Sequence, residues 1–287
     1  MAILGIDVGN SMTKSNKGVV FDTKYIKGEN LLGTGIKTNR GITIGEGNYD
    51  TEYRKIKKDR YIDYLHTAIA LSTEDLDNEI VVGLPISQYK KDREGLIELI
   101  SNNAYIDLNV NNKRYKGYIT NVNVYPEGIA SISNDFEGVI VDIGGRTTDA
   151  CFTYISDNNK RKIDDPISIP AGTLNLYNNF INVINSKYVL DLKSKDAQRI
   201  IKNGLKIEGE YKDINFAIDV FKDFLDGLIK DLNLHYALSA SDVLFVGGGS
   251  LVLQKPIMNR LKHAQLADDC LFSNANGFYR IGCDLFG

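Results

Sequence analysis

The sequence predicts an α/β protein built as two related halves, and three observations predict it. Apolar runs of strand length alternate with stretches of helical period along 287 residues, the mixture that produces layered α/β architectures. The length suits about two domains at roughly 150 residues each. One segment also occurs twice: Ile6-Asp7-Val8-Gly9-Asn10-Ser11-Met12-Thr13-Lys14 is echoed by Val141-Asp142-Ile143-Gly144-Gly145-Arg146-Thr147-Thr148-Asp149, offset by 135 positions (142 − 7).

The elements follow in order. Ala2 to Ile6 is a short apolar run ending at Asp7 and a Gly-Asn turn, which reads as a buried strand. Gly41–Gly45 and Glu79–Leu84 are further strand candidates, with a helix between them around Arg60–Ser72. Pro85 stops the second of these strands, and Ser87 to about Ser101 reads as a helix. Val139–Ile143 is continuously apolar except for one carboxylate near its end. A helix is expected over Leu174–Ile184, with Tyr177, Phe180, Ile181 and Ile184 on one face. Ile214, Ala217, Phe221, Phe224, Leu225, Leu228 and Leu232 recur at three- and four-residue spacing behind Asp213, a candidate N-cap. Asp242–Val246 is another buried strand, closed by Gly247-Gly248-Gly249-Ser250. No Pro/Ser-rich linker separates the halves, so they must pack closely.

Composition narrows the function. Lys and Arg number 34 against 37 Asp and Glu, a net charge of -3. That balance disfavours continuous direct DNA binding, which depends on neutralising phosphates. No apolar run reaches the ~18 residues of a membrane span, and the N-terminus does not read as a secretion signal. A cytoplasmic protein is expected. Cys151, Cys270 and Cys283 are scattered and odd in number, as are His66, His235 and His263; reduced thiols are expected, and a zinc site is not.

The repeated turns point to phosphate chemistry. Glycines let backbone amides approach phosphate oxygens, and successive amides make an anion-binding nest. Ser11, Thr13, Thr147 and Thr148 add hydroxyl donors, and Lys14 adds a positive charge. Asp7 and Asp142 repel phosphate, so they make sense with Mg²⁺ between carboxylates and phosphates, held mostly through water. The bland alternative is two Gly-rich hairpin turns with capping carboxylates. Gly247, Gly248, Gly249 and Ser250 offer a flat surface for a purine, ahead of a helix N-terminus that favours negative charge. Pro126 fits the first position of a helix, with Glu127 in its first turn; alone, that carboxylate would only complement the helix dipole. No Gly-Lys-Ser/Thr occurs, which excludes a P-loop.

Asp7-Val8-Gly9-Asn10-Ser11, Pro126-Glu127, Asp142-Ile143-Gly144-Gly145-Arg146-Thr147-Thr148-Asp149 and Gly247-Gly248-Gly249-Ser250 follow the motif order of the actin/sugar-kinase/heat-shock-chaperone ATPase superfamily. Within it the sequence most resembles the ParM-type bacterial actins that segregate plasmids, and Asn274-Ala275-Asn276-Gly277-Phe278 resembles a C-terminal segment common in that group. The resemblance implies an actin-like fold, with two related ribonuclease-H-like domains around a nucleotide cleft. Residues 1–134 with 269–287 would form the first domain and 135–268 the second.

Carried over position by position, it implies that Gly9, Asn10, Ser11, Met12 and Lys14 form the first phosphate loop and Gly144, Gly145, Arg146, Thr147 and Thr148 the second. Asp7 and Asp142 would hold the Mg²⁺ water shell, and Glu127 would orient the attacking water. Gly247 to Ser250 would back the base, while Gly172, Thr173 and Lys202 are candidates for the sugar. Arg146 departs from the small residue often found at its position. The implied activity is ATP hydrolysis (GTP being the alternative nucleotide), coupled to homopolymeric filaments that move plasmid DNA through a DNA-binding adaptor. A small-molecule kinase of the same superfamily and a non-plasmid cytoskeletal scaffold are the alternatives. No sugar-kinase base motif is evident, and no peptide-binding domain of the chaperones is expected after Gly287. Outside these motifs, the charged run Arg54 to Arg60 reads as a solvated face, Tyr61 and Tyr64 as packing residues, and Asn111 to Arg114 as an exposed turn.

Overall fold

The computed structural model describes residues 1–28, 33–50, 52–133 and 135–287; the expected division at Asn134 lies outside them. The opening apolar run is β1 (Ala2–Val8), which continues into β2 (Met12–Ser15) and β3 (Val20–Asp22). Short strands β4 (Lys24–Lys27), β5 (Ile36–Lys37), β6 (Ile42–Ile44) and β7 (Asn48–Tyr49) pair as a small antiparallel sheet. Then come α1 (Tyr61–Ser72), β8 (Asp77–Leu84), α2 (Ile86–Ser101), β9 (Tyr105–Val110) and β10 (Lys113–Pro126). Asn111 and Asn112, with φ of 48° and 68°, make the two-residue left-handed turn that a tight hairpin requires, as the exposed-turn reading expects.

The second half repeats the plan with β11 (Gly138–Ile143), β12 (Thr148–Ile155) and β13 (Arg161–Ile169). There follow α3 (Thr173–Tyr188), α4 (Ala197–Asn203), a hairpin of β14 (Leu205–Ile207) and β15 (Glu210–Lys212), and α5 (Asn215–Asn233). The half closes with β16 (Val243–Val246), α6 (Gly248–Val252), α7 (Gln254–Arg260) and β17 (Gln265–Leu266). The chain ends in α8 (Ser273–Phe286).

Among the described residues the first sheet runs β3-β2-β1-β8-β10-β9 and the second β13-β12-β11-β16-β17. In each, the first three strands alternate in direction, and the next two run parallel to the central one. The two sheets therefore share one design, and β9 is an added edge strand on the first.

The central strands carry the cores. β8 is buried from Asn78 onward and β11 throughout, as expected of parallel strands covered on both faces. One core gathers Leu4, Ile6, Tyr64, Leu65, Ile80 and Leu96 around the first sheet. Tyr61 and Tyr64 are packing residues within it, 1% and 0% exposed. The other core gathers Val139, Val141, Phe180, Phe221, Leu225 and Leu228. The apolar stripe of α5 is buried at Ala217, Phe221, Leu225, Leu228 and Leu232. The N-cap position falls on Ile214, not Asp213, and carries no side-chain cap bond; Asp213, one residue ahead, accepts the Asn215 amide at 2.9 Å.

After the second sheet is complete, α8 returns to pack on β1 and β8. Two glycines permit that approach. A Cβ on Gly5 would lie 2.0 Å from the Ala275 carbonyl oxygen, and one on Gly277 would lie 1.9 Å from that of Ala130. No described helix is long and apolar enough to cross a membrane.

Candidate functional site

The two repeated segments become matching hairpins. Gly9 N–H bonds the Met12 carbonyl at 3.0 Å, and Gly144 N–H bonds the Thr147 carbonyl at 2.9 Å. The registers also match, since Asp7 faces Lys14 across β1–β2 and Asp142 faces Asp149 across β11–β12. The two turns meet: a Cβ on Gly145 would come within 2.6 Å of the Ser11 Cβ.

Between them lies a cleft. Asp7, Gly9, Asn10, Ser11, Met12, Lys14, Glu127, Asp142, Gly144, Gly145, Thr147, Thr173 and Gly247 to Gly249 all line it. Leu174, Tyr177, Gln198, Val252 and Leu271 continue its walls.

Several expected residues stand elsewhere. Arg146 turns its guanidinium across to the main-chain oxygen of Asp50, bridging the halves and leaving the second phosphate loop to its neighbours. Thr148 is fully buried, and its hydroxyl donates to the Ala171 carbonyl at 2.7 Å. Ser250 is likewise buried, with its hydroxyl on the Val246 carbonyl at 2.5 Å. Gly172 is a spacer, because a Cβ there would meet the Gly145 carbonyl at 2.6 Å. Lys202 is exposed on α4 and outside the cleft lining, while Gln198 one turn earlier reaches it.

The setting of Glu127 also differs from expectation. Pro126 ends β10, paired in parallel register with Leu84 of β8. Glu127 follows in a turn ahead of a short 3₁₀ segment, Ile129–Ser131. No helix starts at Pro126, because the parallel pairing carries the strand through it, and a proline at a strand end forfeits no ladder bond.

The largest surprise is Lys55, in the run that reads as a solvated face. Its side chain is fully buried, and Nζ lies 3.5 Å from Asp7 Oδ1 and 3.3 Å from the Gly83 carbonyl, in contact with Glu127 Oε1. A scaffold holds it there. The Gln88 side chain accepts the Lys55 amide at 3.1 Å and donates to the Tyr53 carbonyl at 3.2 Å, while Arg54 grips Asp92. Lys58 is also buried, at 4% exposure, and its ammonium is lowered to about 8 by burial and by the like charge of Lys55.

Buried carboxylates here outnumber the cations among them. Burial pushes the Glu127 carboxyl up to about 8 against the pull of Lys55, with Asp7 and Asp142 adding like charge. Burial would raise Asp7 too, but Lys14, whose Nζ is 2.8 Å from Oδ2, and Lys55 outweigh it and hold Asp7 low. Lys55 is desolvated, yet Glu127 and Asp7 raise its pKa. Burial raises Asp142 against its hydrogen bond from Asn274, and it pushes Asp149 up to about 6. Burial thus raises Glu127, Asp142 and Asp149, while Asp7, beside two lysines, is held low.

The unpartnered donors in the cleft are oxygens. Asn10 Oδ1 and Asp149 Oδ1 are buried without a hydrogen-bond partner among the described residues. No group of three acidic, histidine or cysteine side chains converges closely enough to grip an ion directly, again among the described residues. Hard oxygens in that arrangement suit Mg²⁺ carried in by phosphates and held through water.

Comparison with known proteins places the fold. Residues 5–129 match the family model for the N-terminal domain of actin-like proteins. A non-polymerisable quadruple mutant of pCBH ParM superposes over 99% of both chains, with a TM-score of 0.81 at 19% identity. A 15-stranded ParM filament from Clostridium botulinum also covers 99% of both chains, at a TM-score of 0.75 and 20% identity. An archaeal actin homolog in complex with ADP covers 98% of both, at 0.80 and 18%. No curated protein matches by sequence. The chain therefore has the actin-like fold, with an actin-like N-terminal domain. Within that class its structural likeness includes ParM-type bacterial actins, the group its motif order resembles.

Proposed function

We propose that this protein is a polymerising actin-like ATPase whose filaments assemble with nucleoside triphosphate and weaken after its hydrolysis. The observation that carries the reading is the pair of opposed Asp–Gly turns with Glu127 and Lys55 between them in one cleft. Residues 1–134 with 269–287 form one body and 135–268 the other, and nucleotide bridges them. The amides of the two turns cradle the phosphates, with Ser11 and Thr147 adding hydroxyl donors. Gly247 to Gly249 support the base, and Thr173 and Gln198 stand near the sugar. Asp7 and Asp142 would hold Mg²⁺ through water, and the ion would supply charge neutralisation at the phosphoryl oxygens.

The Lys55 ammonium pulls the buried Glu127 carboxyl toward its ionised form, and that carboxylate orients the attacking water and takes its proton. Positioning and electrostatics do the rest, because phosphoryl transfer needs little covalent help from protein. A closed cleft then favours assembly only as far as triphosphate and diphosphate differ in affinity for the closed shape. The likeness to ParM filament structures supports this end use. With a net charge of -3, plasmid DNA would be engaged through a basic adaptor.

Sedimentation with Mg-ATP, with Mg-ADP and without nucleotide tests the proposal. An ATP-dependent pellet is expected, and its absence across a broad concentration range would sink the filament reading. Repeating the series with GTP decides the nucleotide. Tight, salt-sensitive binding of the purified protein to DNA would refute the adaptor.

A further inference from the structure

One amide side chain joins three parts of the molecule. Asn274, in the first turn of α8, is 6% exposed and lines the cleft. Its Oδ1 accepts the Gly128 backbone N–H at 2.8 Å and the Ser131 hydroxyl at 2.9 Å. Its Nδ2 donates to Asp142 Oδ2 at 2.8 Å. Chemistry fixes that orientation. A backbone N–H can only donate, so the atom facing Gly128 is the oxygen, and the nitrogen is left for the carboxylate.

The Gly128 end is demanding. Gly128 has φ 74° and ψ -56°, and the Ile129 N–H closes on the Glu127 carbonyl at 2.8 Å. That is a γ-turn of the rare, strained kind, and it immediately follows Glu127. Without Asn274 the buried Gly128 N–H would lose its partner, at a cost that favours relaxing the turn. Gly128 also packs against Asp142: a Cβ on it would stand 3.6 Å from the Asp142 Cβ. The turn that aims Glu127 and the carboxylate of Asp142 are thus neighbours, and Asn274 bonds both.

We infer that Asn274 is a positioning residue that fixes Glu127 and Asp142 relative to each other, so that the water-orienting group and the group facing Mg²⁺ act in one geometry. The inference rests on the hydrolytic reading of the cleft. Asn274 itself touches no reacting atom. It works through a turn in the first half and a carboxylate in the second, from a helix packed on the first sheet. Hydrogen bonds that orient a metal-facing carboxylate commonly change metal affinity or activity by about 10–100-fold.

The test uses the full chain carrying Asn274→Ala or Asn274→Asp. The aspartate keeps an acceptor for Gly128 and Ser131 but replaces the donor facing Asp142 with an oxygen. ATP turnover is measured alongside binding of a fluorescent ADP, in EDTA and across a Mg²⁺ titration. Both variants should lose about tenfold or more in kcat, while ADP affinity in EDTA stays near wild type. In Asn274→Ala the Mg²⁺ concentration that half-enhances ADP binding should rise by about tenfold.

Wild-type turnover and Mg²⁺ response in both variants would overturn the inference. So would equal losses with and without Mg²⁺, the mark of a merely structural role. If the alanine variant fails to fold, the aspartate variant carries the decision on its kcat and its EDTA affinity. A wild-type protein whose ADP binding ignores Mg²⁺ would defeat the hydrolytic reading and this inference together. A responsive wild type with unaffected variants would defeat the inference alone.

Discussion

The two Asp–Gly hairpins share a turn, a register and a strand order, but they differ at the residue that faces the aspartate. Across from Asp7 stands Lys14, and across from Asp142 stands Asp149. The same backbone thus presents a cation on one wall of the cleft and a further carboxylate on the other. The asymmetry extends to the next strands. β10 is followed by Glu127, whereas β17, in the equivalent place, is followed by Ala267. Lys55 adds to the first side only. A repeated fold has therefore divided its labour: the first half carries carboxylates paired to lysines, and the second carries carboxylates bonded to the neutral side chains Asn274 and Thr147. Duplication of a scaffold does not duplicate its electrostatics, because side chains set those after the backbone is fixed.

Removing the group without a counterpart should have the largest effect. Glu127→Ala should keep nucleotide binding and lose about 10²–10⁴-fold in hydrolysis. Phosphate release near the wild-type rate would defeat the assignment. Lys55 comes next. Lys55→Met strands Glu127 without its cation while Asp7 keeps Lys14, and breaking a buried pair this way typically costs about 3–5 kcal/mol. Urea unfolding should show that loss, and Lys55→Met combined with Glu127→Gln should recover much of it.

His66 distinguishes the halves in acid. It is 2% exposed, its Nδ1 accepts from Arg40 at 2.7 Å and its Nε2 donates to the Asn103 carbonyl at 2.9 Å. Burial, with Arg40 nearby, lowers its pKa to about 4. The unfolded chain therefore takes up the proton first. Stability is full above about pH 6.5 and falls as pH drops toward 4, by about 3 kcal/mol in all. His66 stands on α1, so this acid loss belongs to the first half. Urea melts of wild type and His66→Gln at pH 7.5 and 5 check this. A loss of equal size in the variant would contradict it.

The smallest effect has the opposite sign. Asp149 is 5% exposed, and burial raises it to about 6. Here the folded state holds its proton more tightly, so stability falls as pH rises from about 4 to 6 and stays reduced above that. In the nucleotide-free protein, Asp149→Asn should gain about 1–3 kcal/mol at pH 8 and little at pH 4. Lys14→Met, at the matching position, should only destabilise.

What the sequence disclosed follows from local physics. β1, β8, β11 and β16 are legible because continuous apolar runs bounded by Gly, Pro or Asp fit little besides buried strands. α1, α2, α3 and α5 are legible from their period, and the glycine turns from the need for bare backbone. Lys55 is hidden because its neighbours are charged, and its burial depends on carboxylates 48 and 72 positions away. The turn at Glu127 is hidden because Pro-Glu opens helices more often than it closes strands. Thr148 and Ser250 look like ligand donors, but their hydroxyls bond nearby carbonyls instead. Asn274 belongs to a recognisable segment, yet its hydrogen bonds reach back 132 to 146 positions.

The seating of α8 on β1 and β8, through the notches at Gly5 and Gly277, also bears on the order in which the molecule is made. Synthesis delivers the first sheet early, but the helix that covers one of its faces comes after the whole second half. The first half is thus begun first and finished last, with the surface of β1 and β8 bare during the interval. Closing it requires a contact of high sequence separation, the slow kind in folding and the kind that leaves apolar surface open to wrong partners.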